Sequence, residues 1–157
     1  MKKENILNDL RTKFKNDIID IFDKSEKRVY IEINPNSLKS MAGYIFKDLG
    51  ARFSIASGVD TRTDIEILYH FTLELQNFII SLRVKLDRKK PEIESLTSVF
   101  EAANWIEREI NELLGVNFKG HPELKRLLLP DEWPDKVYPL RSEYKEWDKN
   151  AIRDRGV

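Results

Sequence analysis

The sequence holds no cysteine among its 157 residues. That absence excludes disulfides, thiolate zinc sites, iron–sulfur ligation by this chain and a cysteine nucleophile. Histidine is almost as scarce. His70 and His121 are the only two, and no spacing of histidine with carboxylates marks a metal site. A surplus of charge is also missing, because 27 Lys and Arg balance 27 Asp and Glu. A zero formal net charge removes the excess on which non-specific nucleic-acid and anionic-membrane binding rely, so no nucleic-acid partner is expected. Long apolar runs are absent as well: no window nears the ~18 residues of a membrane span. The N-terminal MKKENILNDLRTKFKNDIIDIF mixes charge with apolar residues where a signal peptide would carry an apolar block, which predicts a cytoplasmic chain. Neither GxGxxG, GxxxxGK[ST] nor GxSxG occurs, so phosphates lack a glycine cradle and serine lacks a nucleophile elbow. The residues themselves name no catalytic, cofactor-binding or metal-binding side chain, and no enzyme is indicated.

What is present suits one α+β domain. Ile6, Leu10, Phe14, Ile18, Ile21 and Phe22 recur at steps of three and four, which predicts a helix of about twenty residues. Val29, Ile31 and Ile33 then alternate with Tyr30 and Glu32 as in a strand. After Asn34-Pro35-Asn36, Ser37 is placed to cap a second helix with Leu38, Met41, Ala42, Ile45 and Leu49 on one face and Gly50 at its end. The clearest signal is ILYHFTLELQNFIISLRVKL, two alternating runs separated by Gln76 and Asn77, which predicts a hairpin with one buried face and a preceding strand near 53–59. Ser98 and Glu101 have capping-box spacing ahead of a third helix ended by Gly115. The expected fold is α+β: a small, mostly antiparallel sheet with helices packed on one face. Residues 1–129 form its single domain, and 130–157 form an irregular, extended C-terminal tail. The tail's Trp133, Tyr138, Tyr144 and Trp147 need a surface to cover, so it is expected to dock on a partner.

One charged stretch stands out, WIEREINELLGVNFKGHPELKRLLLP. On a helical wheel Arg108 and Glu112 lie opposite the apolar stripe, with Glu107 and Glu109 flanking it. A solvated face with i,i+4 pairing is the plain reading, paired acid/base carboxylates an improbable one, and a docking face with Trp105 and Phe118 the intermediate one. In the docking case, removing Arg108 or His121 weakens assembly and leaves the chain's own stability unchanged.

This stretch resembles the signature of the 30 kDa subunit family of respiratory complex I and of related energy-converting hydrogenases. The resemblance rests on Glu107, Arg108, Glu109, Glu112, Gly115 and Phe118, followed by Gly120, His121, Pro122 and Arg126. It extends to SLTSVFEAANW before them, to LLLPDEW with Trp133 after them, to Tyr138-Pro139-Leu140-Arg141, and to SGVD and YHF upstream. Glu112 stands where the family commonly has Asp, Leu114 where it has Phe, and Ser142-Glu143 where a Lys-Asp pair usually follows. The resemblance implies a non-catalytic accessory or assembly subunit of the hydrophilic arm, with those residues as its interface. It implies no cofactor in this chain. Its partners are then a large subunit, carrying the quinone site or a nickel–iron site, and iron–sulfur subunits. Membrane contact comes only through the complex, at the inner face of the cell membrane. Chain length and charge favour a hydrogenase-type or simplified dehydrogenase complex. A free-standing α+β interaction adaptor is the alternative, and a small-molecule enzyme comes third.

Overall fold

The alternation along residues 65–86 builds the centre of a five-stranded sheet in the computed structural model, which describes residues 2–145. Strand β4 (Asp64–Leu73) buries every second residue and pairs antiparallel with β5 (Phe78–Asp87), from Ile65 opposite Leu86 to Leu73 opposite Phe78. The turn spans residues 74–77, and Asn77 takes the left-handed conformation, with φ 54°, that an amide side chain tolerates. β3 (Arg52–Asp60) pairs with β4 on one side, and β2 (Arg28–Ile33) with β5 on the other. β1 (Ile18–Ser25) closes the order β1-β2-β5-β4-β3. All neighbours are antiparallel except β2 and β5. Consequently β2 and β3 run in the same direction, and the β4–β5 hairpin inserts between them.

Helices α1 (Lys3–Lys13), α2 (Leu38–Gly43) and α3 (Ala103–Leu114) contribute to one buried cluster on one face of the sheet. Ile6, Leu10, Leu38 and Met41 meet Val29, Ile31, Ile67, Phe71, Ile80 and Leu82, each at most 1% exposed. Burying a side chain of this size contributes roughly 1.5–3 kcal/mol. A short parallel pair, β6 (Glu92–Glu94) and β7 (Asn117–Lys119), brackets α3 and sinks Ile93 and Phe118.

Four local expectations differ. The first helix stops at Lys13, since Asp17 and Ile18 donate to the Phe14 carbonyl and turn the chain. The β-branched Ile18, Ile19 and Ile21 then favour strand over helix, so the apolar spacing from 14 to 22 crosses two elements. Asn34, and not Ser37, supplies the side-chain cap, accepting from Asn36 N–H at 3.0 Å ahead of a 3-10 turn. Residues after Gly43 form a wider π-type turn, Tyr44–Asp48, before Gly50 at φ 67°. No capping box forms at Ser98 and Glu101, because residues 97–99 and 101–102 are turns and α3 starts at Ala103.

Candidate functional site

Helix α3 is amphipathic, and its apolar side, with Ala103, Ile110 and Leu114, joins the core. Its charged side is buried too. Glu107 is 0% exposed, Arg108 9% and Glu112 6%. What covers that side is the chain itself: residues 121–143 form an irregular strap along the helix.

Each charged residue fastens one stretch of backbone. Arg108 donates from Nε to the Lys125 carbonyl at 3.0 Å and from Nη2 to the Arg126 carbonyl at 2.7 Å. Glu112 accepts three successive backbone N–H groups, from Leu127, Leu128 and Leu129, at 3.0, 2.7 and 3.3 Å. Glu107 faces the other way, accepting the Ser95 hydroxyl at 2.6 Å and Leu96 N–H at 2.7 Å. Burial pushes its carboxyl up to about 7, against the pull of those two donors. Tyr69 lies within its electrostatic reach, and burial raises the phenol well above its usual value. The Tyr69 hydroxyl has no partner among the described residues.

The turn after the helix is equally bonded. Gly115, at φ 77°, ends α3 with its N–H on the Asn111 carbonyl at 2.8 Å. Gly120, at φ 80°, turns the chain out of β7. His121 meets the Asn104 carbonyl through Nε2 at 3.0 Å and Glu123 N–H through Nδ1 at 3.0 Å. A carbonyl only accepts and an N–H only donates, so the ring proton sits on Nε2. Pro122 follows at the surface. Arg126 donates to the Pro130 and Asp131 carbonyls and pairs with Asp135 at 3.0 Å. Trp133 bonds the Val137 carbonyl at 2.8 Å and stacks with Tyr144.

At the strap's end, Leu140 N–H and Arg141 Nε cap the last helix carbonyls, on Leu113 at 3.1 Å and Leu114 at 2.6 Å. Arg141 also reaches the Arg88 carbonyl at 3.0 Å. Pro139 is half-buried between Tyr138 and Leu140. Ser142 N–H joins Asp60, which a bidentate Arg88 holds at 2.9 and 2.8 Å, and Glu143 pairs with Arg88. These donors, Arg88 foremost, keep the Asp60 carboxyl well below the ordinary carboxylate range.

The sequence motif therefore comes together in space, but Arg108, Glu112, His121, Arg126 and Arg141 act first within the chain. The expectation that removing Arg108 or His121 spares the chain's own stability is corrected accordingly. Glu109 differs. It is half-buried and makes no hydrogen bond or ion pair with any described residue. Sequence reasoning missed Arg88 and met Asp60 only as the last residue of SGVD, without a role; their pairing depends on the C-terminal ends of β3 and β5 lying at the same end of the sheet, on either side of β4. Trp147 lies outside the described residues. His70 bonds Ser81 at 2.8 Å on the sheet's open face, with its ring nitrogen pushed down by burial, and lies on a different element from His121. Among the described residues no three His, Asp or Glu converge as metal ligands, and no helix is long and apolar enough to cross a membrane.

The sequence profile of the family described as the respiratory-chain NADH dehydrogenase 30 Kd subunit matches residues 31–150. One of the subunits of the F(420)H(2) dehydrogenase of Methanosarcina mazei is 34% identical, over 98% of this chain and 99% of that one. Formate hydrogenlyase subunit 5 of Escherichia coli is 32% identical over 76% of this chain, which corresponds to 22% of that longer protein. Among solved structures, a chain of the membrane-bound sulfane sulfur reductase, an archaeal respiratory membrane complex, shares the fold with a TM-score of 0.75 and 17% identity, over 96% of both chains.

Proposed function

Because the chain belongs to the 30 kDa subunit family of the respiratory-chain NADH dehydrogenase, we propose that it is a non-catalytic accessory subunit in the hydrophilic arm of a membrane-bound oxidoreductase complex. Its neighbours are the large catalytic subunit, with its quinone or nickel–iron site, and iron–sulfur subunits of the same complex. Redox cofactors belong to those partners, and the chain meets the cytoplasmic side of the membrane only through them.

The observation that carries this reading is the strap. From 119 to 145 no residue is buried, yet side-chain bonds hold the backbone along α3. A segment held this way presents Leu128 and Leu140 outward at 62% and 56% exposure, with Trp105 on α3 at 69%. Exposed apolar side chains on a pre-ordered surface suit docking to another protein. The end-to-end likeness to one component of an F(420)H(2) dehydrogenase supports a simplified dehydrogenase complex, with the electron donor chosen by other chains.

Affinity purification of the tagged chain from native membranes tests the reading. The expected result is co-elution with a large subunit and iron–sulfur proteins, visible as broad absorbance near 400 nm that the isolated chain lacks. Elution of the chain alone, from membranes in which the complex is intact, overturns it in favour of a free-standing adaptor.

A further inference from the structure

The two edges of the sheet are treated differently. β1, at one edge, carries Asp20, Asp23 and Lys24, has register irregularities near both ends, and is crossed by Lys3, which bonds Asp23 and the Ser25 carbonyl. Charges and bulges of this kind discourage another strand from adding. β3, at the opposite edge, has one register irregularity, between Phe53 and Ile55, and charges only at its two ends, Arg52 and Asp60; residues 55–59 contain no charge and no proline. Its register is regular from Ile55 to Asp60. An unguarded edge leaves backbone donors and acceptors ready for a partner strand.

A groove of about 250 Å³ runs along this edge. Four consecutive residues, 55–58, line it, so it follows the strand's margin and not one face. The opposite wall is apolar, formed by Ile106, Ile110 and Leu113 of α3, and Leu140 of the strap closes one end. Glu109 is the single charged residue in the lining, and it has no partner among the described residues.

We infer that β3 accepts a sixth strand from another polypeptide: an extended segment of a partner subunit, about four residues long, with apolar side chains on alternate positions and a Lys or Arg set against Glu109. Main-chain bonds along the edge supply the pairing, the α3 wall receives the alternate side chains, and the lone carboxylate selects the register. A second copy of this chain fits poorly, because residues 53–59 of a symmetry mate bring no cation to Glu109. The inference deepens the subunit reading above and rests on it for the existence of a partner.

The test compares hydrogen exchange in the isolated chain and in the purified complex. Those amides of 55–58 that exchange fast in the free chain are expected to slow at least tenfold on assembly. Glu109→Lys and Ser57→Lys, both at positions without internal side-chain bonds, are expected to keep the free chain's melting temperature and to lower its retention in the complex at least tenfold. Unchanged exchange at 55–58 in a complex that still co-purifies sinks the added strand and leaves the subunit reading intact. Protection that grows with concentration of the isolated chain assigns the edge to a second copy and overturns the inference. A chain that elutes alone sinks both.

Discussion

The ring of Tyr138 lies against Gly115: a Cβ added there would come within 2.6 Å of two ring carbons. The glycine thus meets two demands, the left-handed φ that ends α3 and the space that seats the strap. Gly115→Ala is expected to lower stability in urea unfolding by more than the ~1–2 kcal/mol of the backbone term. Gly50→Ala, at φ 67° with nothing within 4 Å, isolates that term. Equal losses in the two variants would show that the Tyr138 contact contributes nothing.

Glu107 makes stability pH-dependent with an unusual sign. Its carboxyl holds a proton more tightly when folded, at about 7, than the ordinary 4.5 of the unfolded chain. Its contribution is therefore full below pH 4.5 and is lost as pH rises through 7. The change amounts to about 3 kcal/mol. Chemical denaturation between pH 4.5 and 8 should show this decline in the native sequence and a much flatter profile in Glu107→Gln.

Asp60 acts in the opposite direction. Its folded-state carboxyl is held below the ordinary range, so its stabilisation is present above about pH 4 and lost as pH falls further. Near pH 4–5 both groups favour the folded chain. Asp60→Asn should lower the melting temperature at pH 5 and weaken the decline between pH 4 and 2. An unchanged acid limb in that variant would assign the decline to other carboxylates.

Arg108 and Glu112 hold the strap, so their removal acts locally. Glu112→Ala frees three backbone N–H groups and Arg108→Ala two carbonyls, each change costing about 1–3 kcal/mol. Limited proteolysis should cut between 121 and 143 faster in both variants, with the sheet's far-ultraviolet signal retained. Cleavage at the native rate would mean that the strap is fixed by other bonds.

Much of the fold is legible in the sequence where one period is sustained. Strands β4 and β5 alternate for about ten residues each, and α3 keeps its apolar face up to a glycine. Reading fails where two elements share a period by accident, as Phe14, Ile18 and Phe22 do across the α1–β1 turn. The site is legible as a motif but not as an arrangement. A wheel places Arg108 and Glu112 opposite the core, and it cannot show that residues 125–129 return to cover them. The Leu127-Leu128-Leu129 run, apolar yet aperiodic, is the one sign that this stretch lies on something. The pairing of Asp60 with Arg88 leaves no such sign, since one ends β3 and the other follows β5, each in ordinary polar sequence.

Among the described residues, every large side chain that is fully enclosed lies at or before Phe118. Translation proceeds from the N terminus, so this interior leaves the ribosome ahead of the strap. The nascent chain can collapse around a complete hydrophobic centre first and clasp the outside of α3 afterwards. The contacts of the clasp on α3 span fewer than thirty positions, as with Arg108 to Lys125 at 17 and Arg141 to Leu114 at 27, so little loop entropy opposes this last step. Ordering of the outward surface is then the last step of folding and follows collapse of the interior.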